Sequence, residues 1–392
     1  MKKYFIDDNT CTAYKLILSR VASYYDANGW QLVRSAADAD LAIAGCCAAF
    51  HSLEEEALNI ARSVVNEGAG ETVLFGCLTT VSPEQAKALG VDHVIASPQW
   101  KRLTDFVTNP VVELDAIPPS TEFRLQEEYR IYDPGKQFVL LQTGCSSDCP
   151  HCPHKLGIGP LKSVPMQTLL DQCETLVKNG AHTIVLTGND TGSWGTDTGE
   201  GTYVELLRAI LDFPVKLHLA QINPDWVALY SEALLDLLTD DRIKDFQTLI
   251  QTTSPRLLEI MNRAPVVLEL EDFFLRLREL RPDIFLRTDL IIGYPTSTEE
   301  EDRATVAFTA RFFDEVAVHA YERFPHTRIE TMGLPFHSRE VIVGRVDEAV
   351  NTLEKSGTIL VHRGGQVYET MVAIEQPKKT IQTDRERSPG QQ

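Results

Sequence analysis

A regular alternation of apolar runs and helical segments, from residue 137 to about residue 320, constrains the fold more than any other feature of the sequence. The runs have the length and composition of buried strands: FVLLQ, HTIVLTG, VKLHLA, FQTLIQ, IFLRTDLIIG and VAVHAY. Segments with apolar residues at helical spacing separate them, and two of these segments predict helices over 166–178 and 225–238. Six strands joined by helices favour a parallel barrel or partial barrel. The sequence lacks the Gly-x-Gly-x-x-Gly turn that a dinucleotide-binding sheet would carry.

The first 115 residues repeat the alternation on a smaller scale. The sequence predicts strands at KKYFI, LAIAG and ETVLFG. It also predicts the start of a helix at Ser52, which with Glu55 has the spacing of a capping box. We therefore predict an α/β protein with a mostly parallel sheet in each part. The predicted organisation is a small α/β domain over 1–115, a linker over 116–134, a (β/α)6 partial barrel over 135–335, and a short C-terminal extension over 336–392 whose polar tail is disordered.

The net charge of the chain limits the kinds of molecule that it can bind. The chain of 392 residues carries 37 basic and 56 acidic side chains, a net charge of −19. Such a surface disfavours nonspecific binding to nucleic acid or to anionic membranes. The N-terminal MKKYFIDDNT meets two aspartates before any apolar signal segment, and no run of about eighteen apolar residues follows. We expect a cytoplasmic protein that does not enter a membrane.

The cysteines indicate metal chemistry. A chain without an export signal has little use for a disulfide framework, and three of its eight cysteines form a Cys-x3-Cys-x2-Cys motif directly after FVLLQ. An iron-sulfur cube on Cys145, Cys149 and Cys152 would leave one iron open for a ligand. The alternative from spacing alone is zinc bound by Cys149 and Cys152 with His151 or His154.

Another group of cysteines is spread over the first domain. Cys11, Cys47 and Cys77 each follow a predicted strand, and ligands gather at the carboxyl ends of parallel strands. The alternative is three unrelated buried cysteines. Cys46 is either a packing residue or a spare thiol beside a cluster, and Cys173 lies among apolar residues of a helix, as a small buried hydrophobe would.

Several segments in order resemble the radical S-adenosylmethionine (SAM) methylthiotransferases, which modify tRNA adenosines or an aspartate of a ribosomal protein. The similar segments span roughly residues 1–335: GCCAAFHSLEEEAL, FGCLTT, TGCSSDCPHC, IVLTGNDTGSWG, LIQTTSPRLLEIMNR and LRTDLIIGYPTSTEEE. The resemblance implies two [4Fe-4S] clusters and SAM as cofactors, with a flavodoxin or ferredoxin as electron donor. It places the catalytic cluster on Cys145, Cys149 and Cys152, and the second cluster on Cys11, Cys47 and Cys77.

The same resemblance implies a reaction. The catalytic cluster binds and cleaves SAM, the resulting 5′-deoxyadenosyl radical takes a hydrogen atom from the substrate, and the second cluster presents sulfur or a methylthio group to the substrate carbon. Polar residues at strand ends are the predicted SAM contacts: Asn189, Asp190, Asn223, Gln251 and Asp289. Asp190 and Asn223 could instead cap the helices that follow them. Arg287 could bind a carboxylate or pair with Asp289.

Three departures from the family pattern shape the expected substrate. His151 stands where the family carries an aromatic residue against the adenine, the arginine-rich run after the third cysteine is replaced by PHKLGIGPLK, and the residues after about Val341 are too few for the C-terminal RNA-binding β-barrel (the TRAM domain). With the negative charge, these departures favour a small-molecule or peptide substrate over tRNA. Three alternatives stay open: a tRNA or ribosomal-protein methylthiotransferase, a radical oxidoreductase or mutase whose second cluster relays electrons, and a noncatalytic scaffold.

Overall fold

The computed structural model describes residues 1–125 and 135–361, which form two parallel sheets with helices packed on them. No helix in these two ranges is long and apolar enough to cross a bilayer. Part of the predicted linker, residues 126–134, and the polar tail from residue 362 onward lie outside the described residues. The predicted disorder of that tail and the predicted domain boundaries stay predictions.

The N-terminal sheet has five parallel strands in the order β2-β1-β3-β4-β5. Its strands are β1 (Lys3–Asp8), β2 (Gln31–Leu32), β3 (Leu41–Cys46), β4 (Glu71–Gly76) and β5 (His93–Ile95). Its helices are α1 (Thr12–Ala27), α2 (His51–Asn66), α3 (Leu78–Val81) and α4 (Pro83–Ala88). Every residue of β3 is buried, because helices cover both faces of a parallel sheet. The carboxyl ends of β1, β3 and β4 therefore meet at one edge.

The second sheet has seven parallel strands in the order β14-β13-β12-β11-β10-β9-β6. Its strands are β6 (Lys136–Leu140), β9 (Thr183–Thr187), β10 (Lys216–Ile222), β11 (Ile243–Gln251), β12 (Phe285–Ile292), β13 (Glu315–Ala320) and β14 (Ile359–Val361). A short antiparallel pair, β7 (Gln142–Thr143) with β8 (Lys162–Ser163), brackets the cysteine motif. Neighbouring strands follow one another along the chain, as in an open barrel.

Most helices of this part of the chain pack on the outside of this sheet over one apolar core, and the helices of this part are given next. They are α5 (Pro153–Ile158), α6 (Met166–Lys178), α7 (Tyr203–Leu211), α8 (Pro224–Leu229), α9 (Ser231–Leu238), α10 (Pro255–Ile260), α11 (Val267–Leu280), α12 (Glu299–Phe312) and α13 (Arg339–Lys355). Cys173 on α6 is fully buried in this core, in agreement with a packing role. The predicted fold class, an α/β protein with a small parallel sheet followed by a partial barrel, is confirmed.

Two details of the second sheet differ from the sequence prediction. The predicted helix over 225–238 is two helices, α8 and α9, because Tyr230 between them has a non-helical backbone (φ −103°, ψ 19°). The predicted C-terminal extension contributes a seventh strand, because β14 pairs in parallel with β13 and α13 packs beside them. Part of that extension therefore belongs to the barrel sheet.

The start of α2 also differs from the prediction. The helix begins at His51, its N-cap residue Phe50 makes no side-chain cap, and Ser52 already lies inside the first turn. The predicted capping box at Ser52 is therefore wrong. The His51 backbone N–H is satisfied instead by the Glu322 carboxylate, at 2.7 Å and 271 positions away, from the segment after β13. Tertiary contact with the barrel supplies the cap that the local sequence was expected to supply.

Candidate functional site

The Cys-x3-Cys-x2-Cys loop leaves the barrel at the end of β7. Gly144 begins it with a positive φ of 73°, and a Cβ at this position would lie 1.9 Å from the Pro160 carbonyl oxygen, so that only glycine fits. Lys155 closes the loop by donating from Nζ to the Cys145 carbonyl at 2.7 Å. The Lys155 side chain therefore holds the backbone of the loop.

The thiols of this loop sit in a desolvated environment. Burial raises the pKa of Cys152 to about 12, with the neighbouring Cys149 adding to the shift, and burial also raises the pKa of Cys145. Without a cation the two thiols would stay protonated at neutral pH. A bound metal reverses this preference, because a coordinating thiol is deprotonated outright.

Arg263, which the sequence analysis did not single out, faces this loop. Its Nε lies 3.5 Å from Cys149 Sγ, and its Nη1 donates to the Leu249 carbonyl at 3.0 Å. Burial would lower the pKa of Arg263, but the Cys149 sulfur together with the Asp225 and Asp190 carboxylates raises it. A permanent positive charge therefore lies beside one cluster cysteine. No spacing rule connects it to a cysteine 114 positions earlier.

His151 packs against Tyr294 rather than turning toward the cysteines as a metal ligand. The rings meet edge to face with centroids 5.2 Å apart, and the Tyr294 hydroxyl lies 3.2 Å from His151 Nδ1. Burial lowers the pKa of His151 to about 3, so the imidazole is neutral. It lines the main cavity, where a neutral flat ring can stack on a base.

The three N-terminal cysteines converge as the topology requires. Cys11 precedes α1, Cys47 follows β3 and Cys77 follows β4, and all three line one small cavity. Burial raises the pKa of Cys47 to about 12 and raises that of Cys77 well above its ordinary value. Cys46 lines the same cavity, but its Sγ lies 3.4 Å from the Ala57 carbonyl in α2, as expected for a packing residue.

Helix α5 joins the two cysteine groups. A Cβ built on Gly157 would lie 2.6 Å from Cys77 Sγ. The backbone of α5 therefore lies so close to Cys77 that no side chain fits between them. His154, one turn earlier, lines both the small cysteine cavity and the main cavity. Helix α5, which follows Cys152 directly, therefore forms a shared wall between the two triads.

The main cavity, of about 260 Å³, lies between the N-terminal sheet and the carboxyl ends of the barrel strands. Among the predicted SAM contacts, it is lined by His151, Asn189, Gln251 and Asp289. The Oδ1 atom of Asn189 is buried without a hydrogen-bond partner. A buried amide oxygen in this state is satisfied when a donor group of a ligand enters.

The side chains of Asp190 and Asn223, by contrast, form hydrogen bonds within the protein that support the walls of the cavity. Asp190 accepts from the Asn223 backbone N–H at 3.2 Å and from Trp226 Nε1 at 2.9 Å. Asn223 Nδ2 donates to the Ser147 hydroxyl of the cysteine loop at 3.1 Å. Neither side chain caps its following helix, so the capping alternative is wrong for both.

Two glutamines at strand ends have strained backbones. Gln221 and Gln251 have φ values of 61° and 63°, and both lie where the strand register shifts. Both side chains line the main cavity. Left-handed conformations at non-glycine residues cost free energy and cluster at functional sites. The sequence analysis missed Gln221, because nothing in its local pattern predicts the bulge.

The Arg287 prediction needs a correction. Its Nη2 donates to Asp245 Oδ1 at 2.8 Å, and both groups are buried inside the barrel. Asp245 also pairs with His218. Burial would raise the pKa of Asp245, but Arg287 and His218 together hold it well below its usual range. The hydrogen-bonded partner of the Arg287 guanidinium is therefore Asp245 on the neighbouring strand β11, and not Asp289.

Asp289 instead faces the cavity together with His319. His319 Nε2 lies 3.5 Å from Asp289 Oδ2, and the His319 ring stacks on Phe50 with centroids 4.9 Å apart. Phe50 belongs to the N-terminal part, so this stack also joins the two sheets. Both acidic side chains that line the cavity, Asp289 and Glu322, are on the barrel side.

The donor sets fit iron-sulfur clusters better than a single ion. In residues 1–125 and 135–361, no three His, Cys, Asp or Glu side chains are arranged to hold one metal ion. This does not support zinc on Cys149 and Cys152. A cube of four irons spreads its ligand sulfurs further apart than one ion does. Two groups of three cysteines, which are soft sulfur donors, match what such a cube binds.

Comparison with known proteins decides the family. The family model for the radical SAM superfamily matches residues 139–309, which include the cysteine loop and most of the barrel. A tRNA-2-methylthio-N(6)-dimethylallyladenosine synthase of Roseiflexus sp. is 25% identical over 346 residues, 85% of this chain and 71% of that protein. The chain contains a radical SAM domain. Its cofactors are [4Fe-4S] clusters and SAM.

Further relatives of this radical SAM enzyme carry related names. The ribosomal protein uS12 methylthiotransferase of Alkaliphilus oremlandii is 24% identical, with 92% of this chain and 84% of that protein covered. Among solved structures, the radical SAM methyltransferase TsrM of Kitasatospora setae matches with a TM-score of 0.64 at 14% identity, covering 91% of this chain and 89% of that one. The structural match shows the fold alone. The sequence matches make the enzyme one of the methylthiotransferase type.

Proposed function

We propose that this radical SAM enzyme is a two-cluster methylthiotransferase, which replaces a hydrogen on an unactivated carbon by a methylthio group. One observation carries the proposal: both triads of cysteines meet across α5, with His154 lining the cavities on both sides. A sulfur atom on one cluster and a radical generated at the other must reach the same carbon. An electron relay alone would not require a shared substrate cavity.

The residues of the chain have distinct tasks in this proposal. Cys145, Cys149 and Cys152 would hold the cluster that supplies the electron for SAM cleavage, and the N-terminal triad would hold the second cluster. Asn189 and Gln251 orient SAM through amide groups in the cavity, and His151 offers a neutral ring for the adenine. The apolar walls around them exclude water from a radical.

The relatives favour a macromolecular substrate over the small molecule or peptide expected from the sequence. Their names place tRNA adenosines or a ribosomal protein as substrates. We propose a base of a tRNA loop. Within the described residues, no Lys or Arg lines the main cavity, so phosphate groups would stay outside while one unstacked base enters. The amide groups and histidines that line the cavity suit a neutral heterocycle.

A small molecule or peptide is the second candidate, and two observations favour it. The net charge of −19 opposes a polyanion, and the charged groups that line the cavity, Asp289 and Glu322, are acidic. A substrate with a cationic or hydrogen-bond-donating group would suit these carboxylates. Filter binding with unmodified tRNA over a salt series distinguishes the two candidates, because saturable binding with a steep salt slope belongs to tRNA alone.

Iron analysis tests the two-cluster proposal. After anaerobic reconstitution, we expect about eight irons per chain, falling to about four when Cys145, Cys149 and Cys152 are all replaced by Ala. About four falling to none would mean that the N-terminal cysteines hold no cluster, and the proposal would fail.

Product analysis tests the reaction. Turnover with reduced flavodoxin, tRNA and methyl-deuterated SAM should give 5′-deoxyadenosine and a nucleoside carrying the deuterated methylthio group. 5′-Deoxyadenosine without any sulfur-containing product would favour the oxidoreductase alternative. The Cys47→Ala variant is the matched control, since it should still cleave SAM without transferring sulfur.

A further inference from the structure

His154 occupies an unusual place beside the N-terminal cysteines. It lies in the first turn of α5, two positions after Cys152, and it lines the small cavity together with Cys11, Cys47 and Cys77. Side chains three and four positions apart share one face of a helix. At those spacings from His154, Gly157 lies against Cys77, and Ile158 lines the same cavity. The face of α5 that carries His154 is therefore the face turned toward the cysteine triad.

Apart from the cysteines, the other polar side chains around this cavity offer oxygen atoms and no nitrogen. They are hydroxyl groups on Thr10, Tyr14 and Ser97, and no carboxylate in the described parts of the chain lines the cavity. Imidazole nitrogen, in contrast, replaces thiolate on iron in known iron-sulfur proteins. The ring of His154 takes part in none of the hydrogen bonds recorded within residues 1–125 and 135–361, so its nitrogens are not committed elsewhere in the protein.

We propose that His154 is the fourth ligand of the cluster held by Cys11, Cys47 and Cys77, bound through an imidazole nitrogen to the iron that three cysteines leave open. The inference rests on the proposed two-cluster function. It gives the resting enzyme a closed second cluster with three thiolates and one neutral ligand. When a sulfur donor arrives, the iron–nitrogen bond breaks and an iron–sulfur bond forms, with no change in oxidation state.

Position along the chain supports a gating role for this ligand. Because α5 follows Cys152 directly, a movement of the first cluster's loop on SAM binding would also move His154. The main cavity, where SAM and substrate are proposed to bind, is lined by the same imidazole. A neutral imidazole is easier to displace than a thiolate, so the iron is protected at rest and still available for sulfur.

Pulsed electron paramagnetic resonance tests the bond directly. The Cys145/Cys149/Cys152→Ala variant isolates the N-terminal cluster, and ring-15N histidine labels the candidate ligand. We expect a strong histidine nitrogen coupling to the reduced cluster. The coupling should be lost in the same background with His154→Val, and it should persist with His319→Val, which removes a histidine of the main cavity alone.

Iron content separates the possible failures. If the isolating variant keeps about four irons but shows no nitrogen coupling, the ligand inference is overturned while the two-cluster proposal stands. If that variant holds no iron, the two-cluster proposal itself fails. Should His154→Val lose its iron, His154→Cys replaces the ligand by thiolate: recovery of the iron without nitrogen coupling supports the inference, and no recovery overturns it.

Discussion

Two adjacent cysteines at the end of β3 differ in their surroundings. Cys46 Sγ lies 3.4 Å from the Ala57 carbonyl, whereas Cys47 lines both cavities and its backbone N–H donates to Asn9 Oδ1 at 2.9 Å. We expect Cys46→Ala to keep the iron content of the wild type. Cys47→Ala should lose about four irons, the content of one cube. Iron and labile sulfide analysis checks both, and equal losses would show that the assignment is off by one residue.

The charge of Arg263 should set the potential of the first cluster. A cation beside a cysteine sulfur favours the reduced and more negative cluster. We expect Arg263→Met to lower the midpoint potential, because it removes the charge 3.5 Å from Cys149 Sγ. Arg263→Lys, which keeps the charge, is the matched control. A redox titration in a Cys11/Cys47/Cys77→Ala background measures this cluster alone, and an unchanged potential in Arg263→Met would contradict the expectation.

Local spacing reveals some of these residues and hides others. The Cys-x3-Cys-x2-Cys motif can be recognised in the sequence because its cysteines lie within eight positions. Cys47 and Cys77 can be recognised because each follows an apolar run. Arg263 and Tyr294 reach the cysteine loop from 114 and 143 positions away, so no local pattern could indicate them. The roles of the cysteines as ligands stay predictions.

At the scale of elements, the contact between α5 and Cys77 at the start of α3 depends on the absence of a side chain at Gly157. Gly157→Ala places a methyl group 2.6 Å from Cys77 Sγ and must push the helix away from it. We expect the variant to lose the N-terminal cluster and keep the first one, so iron should fall by about half.

The matched control is Gly344→Ala, since a Cβ at this position in α13 meets nothing within 4 Å. That change should stabilise the protein by about 0.5–1 kcal/mol, because alanine is the better helix former. Full iron content in Gly157→Ala would show that α5 is free to move away.

The capping box of α12 predicts an acid transition. Glu301 accepts from Thr298, Ser254 and Arg256; partial burial would raise its pKa, but these partners lower it from 4.5 to about 2. Its contribution to stability is complete above the unfolded pKa and is lost as the pH falls from about 4.5 toward 2. Urea unfolding of the apoprotein over this range should show the loss. Glu301→Gln should cost about 1 kcal/mol at pH 7 and flatten this pH dependence.

Long periodic elements were predictable, and their ends were less so. Helix α6 matches its prediction at both ends, since its apolar residues recur over a full 13 positions. The pattern over 225–238 is equally periodic, but the chain turns at Tyr230 to keep two shorter helices against the barrel. Periodicity reports which face is buried, and it does not report a bend that preserves that face.

For the whole molecule, contacts between the two sheets define the cavity. The Glu322 carboxylate caps α2, and the neighbouring His51 ring stacks on Phe324 with centroids 4.5 Å apart. We expect Glu322→Ala to cost about 1 kcal/mol, the usual value of a helix cap. Hydrogen exchange should then show faster exchange in the first turn of α2. If exchange rises equally throughout the barrel, the effect is general and the cap is not specific.

The alternation of strands and helices was enough to predict two parallel sheets. It was not enough to predict β14, whose three residues are too short to stand out from the polar sequence around them. How the sheets face each other was also invisible, because that arrangement depends on single contacts such as Glu322 with His51. The negative net charge of the chain led to the prediction that its substrate is not tRNA. The relatives that are named as tRNA-modifying enzymes make that prediction doubtful.

The cap that joins His51 to Glu322 has a consequence for biosynthesis. During translation the N-terminal sheet can form early, yet the amide at the start of α2 has no acceptor until residue 322 leaves the ribosome. Helix α5, which covers Cys77, arrives some 80 positions after that cysteine. While these 80 or so residues are being made, Cys11, Cys47 and Cys77 are therefore uncovered by α5, and cluster assembly factors would have their widest access to them in that interval.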